Sequence, residues 1–122
     1  MMRLYYALDL HDDPALIAEY ERLHRPENIW PEIPRSIRAA GIRNLEIFRA
    51  GNRLVMVLDV SDGYSPAAKA AADAANPRVQ EWENLMWKFQ QRLPFARADE
   101  KWVPMTRMFS LQSTPTKAPH DA

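Results

Sequence analysis

The chain has 122 residues, the size of one domain able to bury its own core. Hydrophobic residues make up 47% and charged residues 26% of the chain, a composition that excludes wholesale disorder. Sixteen basic residues balance sixteen acidic residues and cysteine is absent, which argues against binding to nucleic acid or to an anionic membrane and excludes a thiol nucleophile or a cysteine-ligated metal.

Two elements are predicted at the start of the chain. Apolar and polar residues alternate over residues 3–10, which is the pattern of a half-buried strand. Asp12 or Asp13 before Pro14 predicts the cap and first turn of a helix. This helix should end near Arg25, because a residue that precedes proline is disfavoured in the helical region.

A second helix and a hairpin are predicted next. The helix that follows Pro31 carries apolar residues at helical spacing and should end at Gly41. Two extended runs, residues 44–49 and 53–60, flank a turn at residues 50–52 and predict antiparallel strands. The second run is continuously apolar, which favours a central strand.

The second half of the chain predicts two more helices and a last strand. Ser65 before Pro66 and Asn76 before Pro77 are capped helix starts. The later helix carries a buried stripe that should continue as far as residue 93. A strand is expected over about residues 101–111, where an internal proline indicates an edge position or a bulge.

This order of elements predicts an α+β protein of the ferredoxin-like βαββαβ type, with helices on one face of the sheet. The other face then needs a cover, and dimerisation through sheet faces is the simplest one. Residues 1–111 are expected to form this single domain, and the polar, proline-bearing residues 112–122 a flexible tail. The lack of a recognisable signal peptide or long apolar run favours a cytoplasmic protein.

Among the three histidines, His24 is the strongest candidate for acid–base chemistry. It follows Tyr20 by four residues on the apolar stripe of the first helix, so the two rings should be neighbours. Imidazole both gives and takes protons near neutral pH. The alternative is a core histidine that is hydrogen-bonded to a backbone carbonyl.

Tryptophans and carboxylates lie together at two places in the chain. Trp82 precedes Glu83 on the later helix, and Trp30 lies close to Glu32. An indole face suits the C–H side of a sugar ring, and carboxylates accept sugar hydroxyls; ordinary core and solvated positions are the alternatives. No glycine-rich phosphate loop is present, and only His24 with a nearby glutamate could begin a metal site, so neither a metal nor a cofactor is expected.

Four segments of the chain together resemble the L-rhamnose mutarotase family: YERLH at 20–24, IWPE at 29–32, the turn at 41–44 and QEW at 80–82. The resemblance extends over residues 3–111. It implies a dimeric α+β barrel, in which two ferredoxin-like subunits face each other with their sheets and each holds a pocket for a 6-deoxy sugar.

The resemblance also implies roles for individual residues. His24 matches the proton donor of the family, and Tyr20 matches a sugar-binding tyrosine. Trp82 matches the first of two paired tryptophans, whereas Glu83 replaces the second. Leu45 stands where the family has another sugar-binding tyrosine.

The segment 76–83 is similar to the branch of the family that is associated with L-fucose, so we expect L-fucose as substrate, with L-rhamnose as the alternative. The expected reaction is cofactor-free opening and reclosure of the sugar ring, with His24 protonating the ring oxygen. Trp30, Glu32 and Leu45 are expected to join Trp82 and Glu83 around the sugar. A cofactor-independent monooxygenase and a non-catalytic sugar sensor on the same fold are the other readings.

Overall fold

The computed structural model describes residues 2–116. Met1 and residues 117–122 of the predicted tail lie outside the described residues. In chain order the elements are β1 (Met2–Leu10), α1 (Pro14–Leu23), α2 (Glu32–Ala39), β2 (Ile42–Ala50), β3 (Arg53–Val60), α3 (Pro66–Ala74), α4 (Pro77–Trp87), β4 (Gln90–Gln91) and β5 (Val103–Pro104).

The helices begin at the predicted residues. Asp13 caps α1, and its side chain accepts hydrogen bonds from two backbone N–H groups of the first turn. Asn76 caps α4 in the same way, the side chain of Ser65 accepts one such bond at the start of α3, and a proline follows each of the three caps. Gly41 follows α2 with a φ of 90°, a conformation that glycine adopts without strain.

The sheet has the order β2-β3-β1-β4, with all paired strands antiparallel and β5 also paired to β1. The predicted hairpin is present, since Gly51 and Asn52 connect β2 to β3. β3 lies in the centre between β2 and β1, as its apolar sequence predicted. Together with the helices on one face, this arrangement is the predicted ferredoxin-like α+β fold.

The prediction of one long last strand is wrong. Only Val103 and Pro104 pair in register with β1. The N–H of Met105 still donates to the carbonyl of Tyr5 at 2.8 Å, but residues 105–110 form no regular secondary structure. Pro104 has no N–H group to continue a ladder of hydrogen bonds. Gln90 and Gln91 pair with the other end of β1, so two short segments share the edge that was predicted for one strand.

The buried stripe predicted for α4 continues beyond the end of the helix. α4 ends at Trp87, and Phe89 and Leu93 are buried from the segment that follows it. The carbonyl of Phe89 accepts a hydrogen bond from the N–H of His11 at 2.9 Å, which holds this segment against the end of β1. As a result, Gln90 is only 4% exposed.

The two faces of the sheet differ in their cover. On the helix side, Leu8, Leu10 and Leu54 are no more than 2% exposed. On the opposite side, the register places Tyr5 and Phe48 beside the valines of β3, and these aromatic side chains are 44% and 55% exposed. The core therefore lies between the helices and one face of the sheet, and the other face is open in a single chain.

Candidate active site

An open cavity of about 980 Å³, here called the central cavity, lies between the helices and the covered face of the sheet. Its volume is in the range of small-molecule sites. Side chains from the sheet, from α1 and α4 and from the segment after α4 line it, among them Tyr6, Tyr20, His24, Leu45, Trp82, Glu83, Gln90 and Lys101.

Tyr20 and His24 are neighbouring polar side chains that line the central cavity. Tyr20 is on the last full turn of α1 and His24 caps its end, so the helical spacing stacks the two rings at a centroid distance of 4.3 Å. The Nδ1–H group of His24 donates a hydrogen bond to the backbone carbonyl of Tyr20 at 2.7 Å. In the neutral ring, Nε2 is consequently the nitrogen with a free lone pair.

Burial favours the uncharged form of both side chains, so that at neutral pH His24 can accept a proton and Tyr20 can donate one. It lowers the pKa of His24, and the hydrogen bond with the Tyr20 carbonyl only partly opposes this effect. Burial raises the pKa of Tyr20 to about 12, although the hydrogen bond from Gln90 acts in the other direction. A neutral imidazole that can accept a proton therefore lies beside a phenol that keeps its proton.

Trp82 lines the cavity beside His24, and Trp30 packs against Trp82. The rings of His24 and Trp82 meet edge-to-face at 5.4 Å, and those of Trp30 and Trp82 at 5.1 Å. The guanidinium group of Arg78 lies 3.7 Å from the centre of the Trp30 ring and is hydrogen-bonded to Glu32 at 3.1 Å. Neither Trp30 nor Glu32 lines the central cavity, although Trp30 packs against Trp82, which does.

Glu83 and Leu45 do line the central cavity. Glu83 forms an ion pair with Lys101, whose ammonium group also lies 4.5 Å from the centre of the Trp87 ring. The side chain of Lys101 is only 15% exposed. The carboxylate is thereby held in place at the cavity, with acceptor capacity left for a hydroxyl donor.

Sequence reasoning did not identify Lys101 and Gln90 as site residues. Lys101 was assigned to the start of a strand, and Gln90 to the end of a helix, because the turn after Trp87 has no glycine or proline to mark it. The Nε2 group of Gln90 donates a hydrogen bond to the hydroxyl oxygen of Tyr20 at 3.1 Å. Both residues line the central cavity.

Residues 2–116 lack two features of other protein classes. No three His, Cys, Asp or Glu side chains lie close enough together to bind a metal ion in this range. No helix in the same range is long and apolar enough to cross a membrane.

Comparison with known proteins gives concordant matches. The family model for L-rhamnose mutarotase matches residues 3–111. An L-fucose mutarotase from Xanthomonas campestris pv. campestris is 59% identical over 111 residues, which are 91% of this chain and 89% of that protein. An L-rhamnose mutarotase from Acidiphilium cryptum is 45% identical over 51 residues, which are 42% of this chain and 38% of that protein.

The fold has a counterpart among solved structures. The crystal structure of an L-rhamnose mutarotase from Formosa agariphila superimposes with a TM-score of 0.65 at 21% identity, over 91% of this chain and 99% of that one. At this level of identity the likeness supports the fold, which agrees with the ferredoxin-like arrangement of the strands described above.

Proposed function

The chain belongs to the L-rhamnose mutarotase family, and we propose that it interconverts the α and β anomers of a 6-deoxy-hexose, with L-fucose as its preferred substrate. The observation that carries this proposal is the pair formed by Tyr20 and His24, a buried phenol and a neutral imidazole at 4.3 Å in one cavity. Opening a sugar hemiacetal needs one group that accepts a proton and one that donates a proton, and this pair supplies both.

In the proposed opening step, Nε2 of His24 removes the proton from the anomeric hydroxyl. The bond between the anomeric carbon and the ring oxygen breaks, its electron pair goes to the ring oxygen, and this oxygen takes the proton of the Tyr20 hydroxyl. The products are an open-chain aldehyde, an imidazolium and a phenolate. The N–H group of Gln90, 3.1 Å from the Tyr20 oxygen, stabilises the phenolate.

Reclosure follows the same path in reverse on the other face of the aldehyde. After rotation about the bond between the anomeric carbon and its neighbour, the hydroxyl at the former ring oxygen attacks the carbonyl and returns its proton to Tyr20. His24 then returns its proton to the new anomeric oxygen. From the sequence, His24 is the expected proton donor to the ring oxygen. The hydrogen bond of its Nδ1–H group leaves Nε2 as a proton acceptor, and this favours Tyr20 as the donor instead.

L-Fucose is proposed as substrate because of Glu83 and of the relative from Xanthomonas. An acidic side chain at this position accepts hydrogen bonds from a hydroxyl, which a second indole cannot do. Lys101 holds this carboxylate at the cavity. The 59% identical relative carries the name L-fucose mutarotase.

The substrate proposal is tested by measuring anomer exchange of L-fucose and L-rhamnose by NMR in the wild type and in Glu83→Gln. We expect the wild type to accelerate L-fucose more than L-rhamnose, and the variant to lose about 10-fold or more of this preference, since a charged acceptor is replaced by a neutral one. Glu81→Gln is the matched control, because Glu81 is on the same helix, pairs with Arg78 and does not line the cavity. A wild type that prefers L-rhamnose would contradict the proposal.

We also propose that two copies of the chain pair through their open sheet faces. A second copy would cover Tyr5 and Phe48, which are 44% and 55% exposed. The segment after β5 carries further exposed apolar side chains, Met108 and Leu111, at 94% and 77%. The proposed location is the cytoplasm, since a chain without cysteine is compatible with a reducing compartment.

A further inference from the structure

Gln90 is a buried amide that uses only part of its hydrogen-bonding capacity. It is 4% exposed, and Nε2 donates to the Tyr20 oxygen at 3.1 Å. Its carbonyl oxygen Oε1 is buried and has no hydrogen-bond donor among the described residues 2–116. A buried acceptor without a partner costs free energy, so such a group calls for an explanation.

One polar atom of the Gln90 amide lacks a partner whichever end of the amide faces Tyr20. Rotating the amide by 180° exchanges oxygen and nitrogen, and one buried polar atom is still left over. Gln90 lines the same cavity as Tyr20 and His24. Because Gln90 lies on the wall of this cavity, a bound ligand is a candidate donor to the unpartnered atom.

We infer that Gln90 is a substrate-binding residue whose carbonyl oxygen accepts a hydrogen bond from one sugar hydroxyl, while its amide nitrogen directs the Tyr20 proton to the ring oxygen. This inference rests on the proposed function and names a contact that decides between sugars. Because Nε2 donates to one lone pair of the Tyr20 oxygen, the hydroxyl proton must be donated elsewhere, and the sugar is the acceptor within the cavity. One amide thus orients the acid and selects a hydroxyl.

The consequence for specificity follows from the cost of an unpaired polar group. A sugar with a hydroxyl opposite Oε1 satisfies the amide, whereas a sugar without that hydroxyl leaves it unpaired. β4 determines the direction of this side chain. Gln90 pairs with Leu10 of β1, and its side chain therefore lies on the same face of the sheet as the helices. The neighbouring Gln91 is exposed and points to the other face.

The test compares wild type, Gln90→Met and the control Gln91→Met in NMR anomer exchange with L-fucose and with its 2-, 3- and 4-deoxy analogues. Methionine keeps the approximate volume of glutamine and removes both polar atoms. We expect Gln90→Met to lower kcat/KM for L-fucose about 5- to 50-fold, the range for a lost buried hydrogen bond, and Gln91→Met to change it less than 2-fold, roughly.

The analogues distinguish a contact with the sugar from a structural role. We expect wild type to lose a similar factor with one of the three analogues, and Gln90→Met to exchange that analogue as fast as L-fucose. An equal loss with every sugar together with a lower Tm, or no loss at all, would overturn the inference and leave the proposed function intact. No exchange by the wild type with any 6-deoxy-hexose would refute the proposed function, and this inference with it.

Discussion

In the proposed reaction Tyr20 and His24 have different roles, although they lie only four residues apart at one helix end. The environment divides the roles: the Nδ1–H group of His24 is engaged by the Tyr20 carbonyl, and the Tyr20 oxygen accepts the N–H of Gln90. The helical spacing in the sequence was sufficient to predict that the two rings are neighbours. It could not predict which ring gives the proton, because that depends on Gln90, which comes from a distant part of the chain.

The pH dependence of exchange tests this division of roles. His24 must be neutral to accept the anomeric proton, and burial lowers its pKa below the usual value of 6.5. Tyr20, with a pKa of about 12, stays protonated through neutral and mildly alkaline pH. We expect kcat/KM, corrected for the buffer reaction, to be level from neutral pH to about pH 9 and to fall only below the ordinary titration range of histidine.

A rate that falls as the pH rises above 6 would contradict this account, because it would mean that the protonated form of His24 is required. The pH dependence of the free energy of unfolding provides a second test of the lowered pKa of His24. The unfolded chain binds a proton on His24 at higher pH than the folded chain does, so the free energy of unfolding should decrease as the pH falls through the usual histidine value and continue to decrease until the lowered pKa is passed. His24→Ala should lack this contribution in urea titrations.

At the scale of elements, local signals decided how well the sequence predicted the structure. Helix starts with a capping side chain and a proline were predicted to the residue, because both act within one turn. The end of α4 at Trp87 and the short strand β4 were missed, because no local signal interrupts the apolar pattern between Trp87 and Leu93. There the backbone is directed by pairing with β1, which the sequence does not display.

Gly41 is the element boundary whose replacement should have the largest effect. It joins α2 to β2, the strand that carries Leu45 into the central cavity. A Cβ atom added there would lie 2.8 Å from Oγ of Ser61, and φ is 90°. We expect Gly41→Ala to lower the free energy of unfolding by about 2–3 kcal/mol, measured by urea denaturation.

Gly51 supplies the matched control for this prediction. It also has a positive φ, 60°, but an added Cβ would have nothing within 4 Å. Gly51→Ala should therefore cost only the backbone strain, about 1 kcal/mol. Equal losses for the two variants would mean that the contact with Ser61 has no effect on stability.

At the scale of the whole molecule, the open face of the sheet is the main unexplained surface of a single chain. β3 has the continuous apolar sequence of a strand that is covered on both faces, yet the helices cover only one. The sequence alone therefore indicates that β3 is covered on both faces. The proposed pairing of two sheets would provide the second cover.

The pairing is tested by light scattering after size-exclusion chromatography. We expect the wild type to have twice the mass of one chain at micromolar concentration, and Phe48→Asp, which places a charge on the open face, to have the mass of one chain. Phe95→Asp is the control, because Phe95 is similarly exposed, at 68%, but lies in the segment after β4. A monomeric wild type, or an equal effect of both substitutions, would contradict a dimer through this face.

The most direct test of the central claim is two-dimensional exchange NMR on equilibrated L-fucose with wild type, His24→Ala and Tyr20→Phe. The account predicts that wild type accelerates exchange between the anomers over buffer and that each substitution lowers the rate about 100- to 10,000-fold, the usual contribution of a positioned acid or base, with the folded state intact by circular dichroism. Undiminished exchange in both folded variants would contradict the proposed pair. No acceleration of either L-fucose or L-rhamnose by wild type would contradict the mutarotase itself and direct attention to oxygenase or sensing functions on the same fold.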